Sequence, residues 1–312
     1  MTAMLNKLQR FLARLNTLSE RVTLIQESLG RIEARQTADA GDPRAAEFRV
    51  FSQWGEDGII QHLVRNVPIE RPIFVEFGVE NYVESNTRFL LTNNAWSGLV
   101  IDGSEDNIEY IRRDPIYWAS NLKAHCSFIT KDNINQLLAS NGIAGDIGLL
   151  SVDIDGNDYW VWEAIDTISP RIVVCEYSSQ FGPVAQVTTP YDPAFVRGNA
   201  HWSKVYYGAS ICALCALAER KGYSLVASNS AGNNVFFVRN DLVGDLKVLT
   251  PAEAYRRARF REFHDEQGRL TFDDFETRLD KIRELPVYDL QAQRLAKIAD
   301  IPAMWETKQR GA

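Results

Sequence analysis

Four acidic residues sit in or end short apolar runs of this chain. Glu76 lies in Phe74-Val-Glu-Phe-Gly78, Asp102 ends Gly-Leu-Val-Ile-Asp102, Asp153 ends Leu-Leu-Ser-Val-Asp153, and Glu176 ends Val-Val-Cys-Glu176. A carboxylate in an apolar strand needs a partner or a task, because an isolated buried charge is costly. Asp155 and Asp158 follow Asp153 within six residues, so three acids crowd one strand end. Carboxylates side by side raise each other's pKa or share a cation. Asp153, Asp155 and Glu176 are therefore candidate ligands of a Mg²⁺-type divalent ion. Asp153 and Asp155 are also candidate catalytic groups for taking up a proton.

Gly78 directly follows the first run, where it lets the chain turn tightly and approach a ligand. It is the only glycine there, so the G-x-G-x-x-G fingerprint is absent and a dinucleotide pyrophosphate is disfavoured. S-adenosylmethionine carries no phosphate and needs less glycine. Glu76 would either fix the glycine loop or meet the amino group of such a cofactor. Asp102 comes about 26 residues after Glu76, where an acid accepts the ribose hydroxyls of a nucleoside. The following Gly-Ser-Glu-Asp also suits a helix start, and both readings stand.

The elements that must position these residues follow from the hydrophobic pattern. Strands are expected at 73–77, 98–102, 122–129, 147–153, 171–176, 223–227 and 234–239. Helices are expected at 57–67, 84–93, 105–114, 134–140, 158–168 and 209–221. This alternation implies a mostly parallel α/β sheet covered on both faces. The short loop 228–233 forces the last two strands to pair antiparallel. In such a sheet ligands sit outside the carboxyl ends of the strands. The long stretch 177–208 is rich in aromatic and polar residues, among them Tyr191, Arg197, His201, Trp202 and Tyr207, and reads as a substrate lid. His201 is its only histidine and a candidate general base, with a structural histidine as the alternative.

Ahead of this domain, apolar residues fall at Met4, Leu8, Phe11, Leu15, Leu18, Val22, Ile25, Leu29 and Ile32, alternating steps of four and three. That is a heptad seam, expected to make residues 1–35 a self-associating coiled coil of roughly 40 Å. A packed amphipathic helix is the alternative. Residues 36–43 read as a linker, 44–245 as the catalytic domain, and 246–312 as a helical extension packed on the core, with helices at 252–262 and 290–298.

Five stretches, 51–58 (Phe-Ser-Gln-Trp-Gly-Glu-Asp-Gly), 74–87, 99–104, 150–160 and 172–177, occur in an order that resembles the FkbM-type S-adenosylmethionine-dependent methyltransferases. The resemblance is closer to a branch found among bacterial cell-surface polysaccharide genes, and it spans most of residues 48–240. It implies a Rossmann-like seven-stranded sheet with a final antiparallel hairpin. It also implies O-methyl transfer to a hydroxyl, often of a sugar in a surface glycan or its precursor. Non-sugar or lipid-linked acceptors, or a silent scaffold, are the alternatives. By that resemblance Gln53 and the Glu56-Asp57 pair close over the cofactor, and Ser85 and Asn86 hydrogen-bond its carboxylate. Glu76, Gly78, Asp102 and Asp153 complete the cofactor set. The family commonly carries a second glycine in the loop that here holds only Gly78.

Composition bounds these readings. The 312 residues are 45% hydrophobic and 24% charged, with a net charge of −7 and no dense Lys/Arg run, which argues against a nucleic-acid partner. Cys212 and Cys215 form C-x-x-C inside a helix-like run without a second pair, and read as buried cysteines. No stretch is apolar enough to span a bilayer, and no signal peptide is evident. A cytoplasmic protein is expected, with a peripheral place at membrane glycan machinery left open.

Overall fold

The fold is that of a computed structural model, which describes residues 2–260 and 262–305. Its strands are β1 Ile73–Phe77, β2 Ser97–Asp102, β3 Leu122–Cys126, β4 Gly145–Val152, β5 Ile168–Glu176, β6 Val187–Thr188, β7 Tyr223–Ser228, β8 Asn234–Arg239, β9 Pro286–Asp289 and β10 Arg294–Lys297. Seven of them form one sheet in the order β3-β2-β1-β4-β5-β8-β7. Only β8 runs against its neighbours, pairing antiparallel with both β5 and β7. All seven expected strands are present, with the reversed hairpin at the expected place.

The period-2 geometry of a strand splits the apolar residues between two cores. Val75, Phe77, Leu150, Val173 and Phe237 pack on one face with Trp162 and Leu214. Phe74, Val100, Leu149, Ile172 and Phe236 pack on the other with Ile59, Ile60 and Leu90. Burial on both faces explains why these strands read as continuous apolar runs. Two helices are shorter than expected by about a turn. The one expected at 84–93 begins at Arg88, because its first backbone N–H groups are drawn to Glu76. The one expected at 158–168 stops at Ala164, because the β-branched Ile165, Thr167 and Ile168 ahead of Pro170 favour extended backbone.

The segment after 246 departs most from expectation. The helix expected at 252–262 is a single capped turn, Pro251–Ala254. The helix expected at 290–298 is instead the second arm of the β9–β10 hairpin, and β9 also pairs with β6 of the 177–208 stretch. Phe181, Val205, Phe260, Phe263, Phe275, Leu279, Val287 and Met304 form their own core. The insertion and the C-terminal segment are thus halves of one unit. Its strands are too short to announce themselves, and β9 pairs with β6 far earlier in the chain.

The helix Thr2–Gln36 covers the heptad region. Phe11, Leu15, Leu18, Val22, Ile25, Leu29 and Ile32 are exposed, at 44–60% of their surface. A different face docks on the domain. Gly30 and Ala34 meet Val50, Phe48 and Phe89, and a Cβ at Gly30 would overlap the Val50 side chain. The Gln26 side-chain amide donates to the Val50 carbonyl, and Arg65 donates to the Ala34 carbonyl at 3.0 Å. The helix thus packs on its own domain through this face, while the seam residues named above stay exposed. No helix among the described residues is long and apolar enough to cross a membrane.

Candidate functional site

Strand order reverses between β1 and β4, and a cleft opens there at the carboxyl ends of the strands. Gly78 stands at its base with φ +69°, and a Cβ there would overlap the Asp153 carbonyl oxygen. Only glycine lets β1 and β4 end this close together. The loop then places Glu80 and Tyr82 at φ +47° and +64°, conformations that a second glycine would have supplied without strain. Several bonds hold it. The Glu80 N–H donates to Asp102 Oδ2 at 2.8 Å, and the buried Tyr82 hydroxyl pairs with Thr87 Oγ1 at 3.0 Å.

Glu76 is the clamp of this loop. Its Oε1 accepts from the Asn86 N–H at 2.8 Å, and its Oε2 accepts from the Thr87 N–H at 3.1 Å and from the Thr87 hydroxyl. Burial pushes its carboxyl up to about 7, against the pull of these donors. Of the two readings of Glu76, fixing the loop is the one its contacts show. The same bonds consume the N–H groups expected to meet a cofactor carboxylate, and the Ser85 N–H donates to the Phe51 carbonyl. The side chains of Ser85 and Asn86 still line the cleft.

Glu56 and Asp57 do not close over the cleft as the resemblance implied. Asp57 Oδ2 accepts from the N–H groups of Val50, Phe51 and Ser52 and from the Ser52 hydroxyl at 2.7–2.8 Å, and burial raises it to about 6. Glu56 accepts from Asn229 and Asn234 at 2.6 and 2.9 Å. Both acids build the frame. Gln53 does line the cleft, 3.4 Å from Glu262.

One half of the cleft lies over β2 and β3 and is lined by Asp102, Gly103, Ser127, Phe128, Ile129 and Phe195. Asp102 stands on its rim. Its Oδ1 accepts from the Ser104 N–H at 2.9 Å and from Asn107 at 3.0 Å. Ser104 is the N-cap of the helix Glu105–Arg113, so Asp102 supports the cap as well as facing the cleft.

The other half lies over β1, β4, β5 and β8. Asp153, Asp158 and Glu176 bring carboxylate oxygens within 4.8 Å of one another. Asp155, expected in this group, turns away to Arg197 at 2.6 Å, and its backbone has φ +57°. Asp158 takes its place, with one oxygen on the Ile154 N–H at 2.8 Å and the other on the Gly156 N–H at 2.9 Å. Burial holds Asp153 well above the usual carboxylate range, reinforced by Asp155 and Asp158. Glu176 is raised in the same way, by burial and then by Asp153. All-oxygen donors of this kind suit a hard divalent cation.

Arg197 is the one cationic side chain among the described residues lining this half. It joins Asp155 to Glu262 and lies 3.9 Å over the Tyr207 ring. His201 lines neither half. It pairs with Ser203 Oγ at 2.7 Å and packs on Trp202, while burial and Lys281 lower its pKa. The structure therefore does not bring the expected base to the cleft. Phe181, Tyr206 and Tyr207 are buried in the second unit rather than presented for stacking.

The sequence reading missed Phe195, Asn234 and Glu262, all of which line the cleft. Asn234 was within reach: the forced antiparallel hairpin sets it directly across from Glu176. Glu262 gave no signal, because its segment reads as helix.

No protein-family model matches the chain, and no curated protein does. Among solved structures, the N-terminal domain of EvdMO1 with S-adenosylhomocysteine (SAH) bound is similar at 12% identity. It covers 67% of this chain and 96% of that one with a TM-score of 0.40. An O-methyltransferase from Bacillus cereus in complex with SAH is similar at 14% identity, over 69% and 90%, with a TM-score of 0.37. M. capricolum TrmK in complex with SAH is similar at 9% identity, over 72% and 80%, with a TM-score of 0.32. Likeness at this level assigns no activity.

Proposed function

We propose that this chain is an S-adenosylmethionine-dependent O-methyltransferase whose acceptor is a sugar hydroxyl of a bacterial surface glycan or its precursor. The observation that carries the enzyme reading is the charge of the cleft. A switch-point cleft with acidic walls and one guanidinium repels a dinucleotide pyrophosphate and attracts a cationic cofactor. A sulfonium that also bears an ammonium group matches it. The sugar acceptor rests on the family resemblance.

Bound S-adenosylmethionine would supply an electrophilic methyl group. Its ribose would meet Asp102 in the half lined by Phe128 and Phe195, and its amino-acid end would run past Gly78 towards Ser85 and Asn86. Asp153 stands where the two halves join and lines both. Its raised pKa suits it to accept the acceptor hydroxyl proton as the oxygen–carbon bond forms and the carbon–sulfur bond breaks. A divalent cation would be held by Asp153, Asp158 and Glu176, where it would lower the pKa of that hydroxyl. Asp155 is left out of this set because Arg197 holds it.

Self-association through residues 4–32 belongs to the same proposal. It is supported by the exposed seam of Thr2–Gln36 and by the docking of that helix through Gly30 and Ala34, which leaves the seam free for a second copy.

The test is titration calorimetry of the full chain with SAH. Binding is expected, with Asp102→Ala weakening it about tenfold or more through loss of charge-assisted hydrogen bonds. No heat at millimolar SAH would sink the enzyme reading, and unchanged affinity in D102A would remove the ribose assignment.

A further inference from the structure

Among the polar side chains that line the cleft with Asp153, Glu176 and Asn234 are a neighbouring pair whose buried oxygens lack partners, as Asn157 Oδ1 does in the other half. Glu176 and Asn234 are directly opposed residues of β5 and β8, so their side chains leave the sheet on the same face, into the same half of the cleft. Both are at least 95% buried. Asn234 gives its amide N–H to Glu56 at 2.9 Å, which leaves its Oδ1 without a partner, and Glu176 Oε2 has none either. A buried acceptor left unpaired costs about 1–3 kcal/mol, so a pair of them at a cleft floor is held there for donors that arrive from outside.

The walls limit what those donors can belong to. Glu80, Glu84, Asp153, Asp155 and Glu262 face the same space, while Arg197 holds Asp155 at 2.6 Å and sets its second amino group 3.6 Å from Glu262 without a hydrogen bond. One guanidinium set among these carboxylates leaves the described lining acidic, which disfavours a phosphate or carboxylate there.

Resting on the methyltransferase reading above, we propose that Glu176 and Asn234 form the acceptor subsite, holding two hydroxyl groups of an uncharged polyol. The acceptor is thus a neutral sugar unit, and not a nucleotide-linked or uronic acid form. One Glu176 oxygen remains for a hydroxyl even where the other serves a cation.

The experiment follows methyl transfer from tritiated S-adenosylmethionine to neutral methyl hexosides, the matching methyl hexuronosides and the matching UDP-hexoses. It is run with EDTA and with added Mg²⁺, and SAH affinity is measured in parallel. Label is expected in a neutral hexoside, at a rate at least a hundredfold above its charged counterparts in both conditions. Glu176→Gln and Asn234→Leu are expected to raise the acceptor KM at least tenfold while SAH affinity stays within twofold. Absence of SAH binding to the unaltered protein would defeat the underlying enzyme reading. With SAH bound, transfer to no neutral hexoside, equal or faster transfer to a charged one, or an unchanged KM in E176Q would overturn the subsite itself.

Discussion

Gly78→Ala is the sharpest probe of how the cleft is built. The new methyl group would meet the Asp153 carbonyl oxygen, which is backbone and cannot swing aside. The residue would also keep a φ of +69°, which costs a non-glycine residue about 1–2 kcal/mol. Overpacking adds about 1–3 kcal/mol. The sum is a loss of about 2–5 kcal/mol, relieved only by prising the end of β1 from the end of β4. That movement widens the cleft at the place where its halves join, so SAH affinity should fall with stability. Gly156→Ala is the control for stability alone, because its methyl group would meet the Phe195 ring, a side chain that can move but lines the cleft. The assay is urea unfolding of both variants alongside calorimetry with SAH. A G78A protein within 1 kcal/mol of the unaltered chain, or one that binds SAH equally well, would refute the reasoning.

Three further outcomes are expected. Burial holds Glu76 at about 7 against an ordinary 4.5, so its stabilising contribution is full below about 4.5 and is lost as pH rises through 7, on the order of 3 kcal/mol in all. Urea midpoints of the unaltered protein should therefore fall relative to Glu76→Gln between pH 5 and 8, and parallel curves would show that Glu76 does not titrate there. Replacing Leu18 and Ile25 together by Lys should lower the mass seen by light scattering without shifting the urea midpoint, since both side chains are exposed; an unchanged mass would refute self-association through the seam. Removing divalent ions with EDTA should slow methyl transfer at least tenfold and Mg²⁺ should restore it, whereas full activity after chelation would take the cation out of the mechanism.

The main sheet was legible because its inner strands are buried on both faces and read as apolar runs, while the edge strand β3 alternates around the exposed Lys123. Gly78, Asp102 and Asp153 could be placed at strand ends for the same reason, and all three line the cleft. What the sequence could not show was where each acid's oxygens go. Asp155 and Asp158 look equivalent in the Asp153-Ile-Asp-Gly-Asn-Asp158 run, yet a left-handed backbone at Asp155 sends one outward to Arg197 and leaves the other inside. Leu290–Ile298 was misread because its pattern is short and its strand β10 pairs with β9, which is itself placed by pairing with Val187–Thr188, far away in sequence. Local periodicity has no access to a pairing of that range.

The acids of the cleft sort by the donors they already hold. Glu76 in the cleft, and Asp57 and Glu56 in the frame beside it, accept bonds from loop N–H groups or side-chain amides that fix a turn, and these carboxylates are structural. Asp102 holds three such donors and still stands on the rim, which leaves lone pairs for a ligand. Asp153 and Glu176 hold no hydrogen bond from any described residue, although burial and mutual repulsion make each expensive to leave charged. A fold that spends so many carboxylates on holding loops, and keeps these two unspent at the junction of the halves, has placed them for something that comes and goes. A proton, a cation and an acceptor hydroxyl all meet that description, and methyl transfer to oxygen uses the first and the last in the same step.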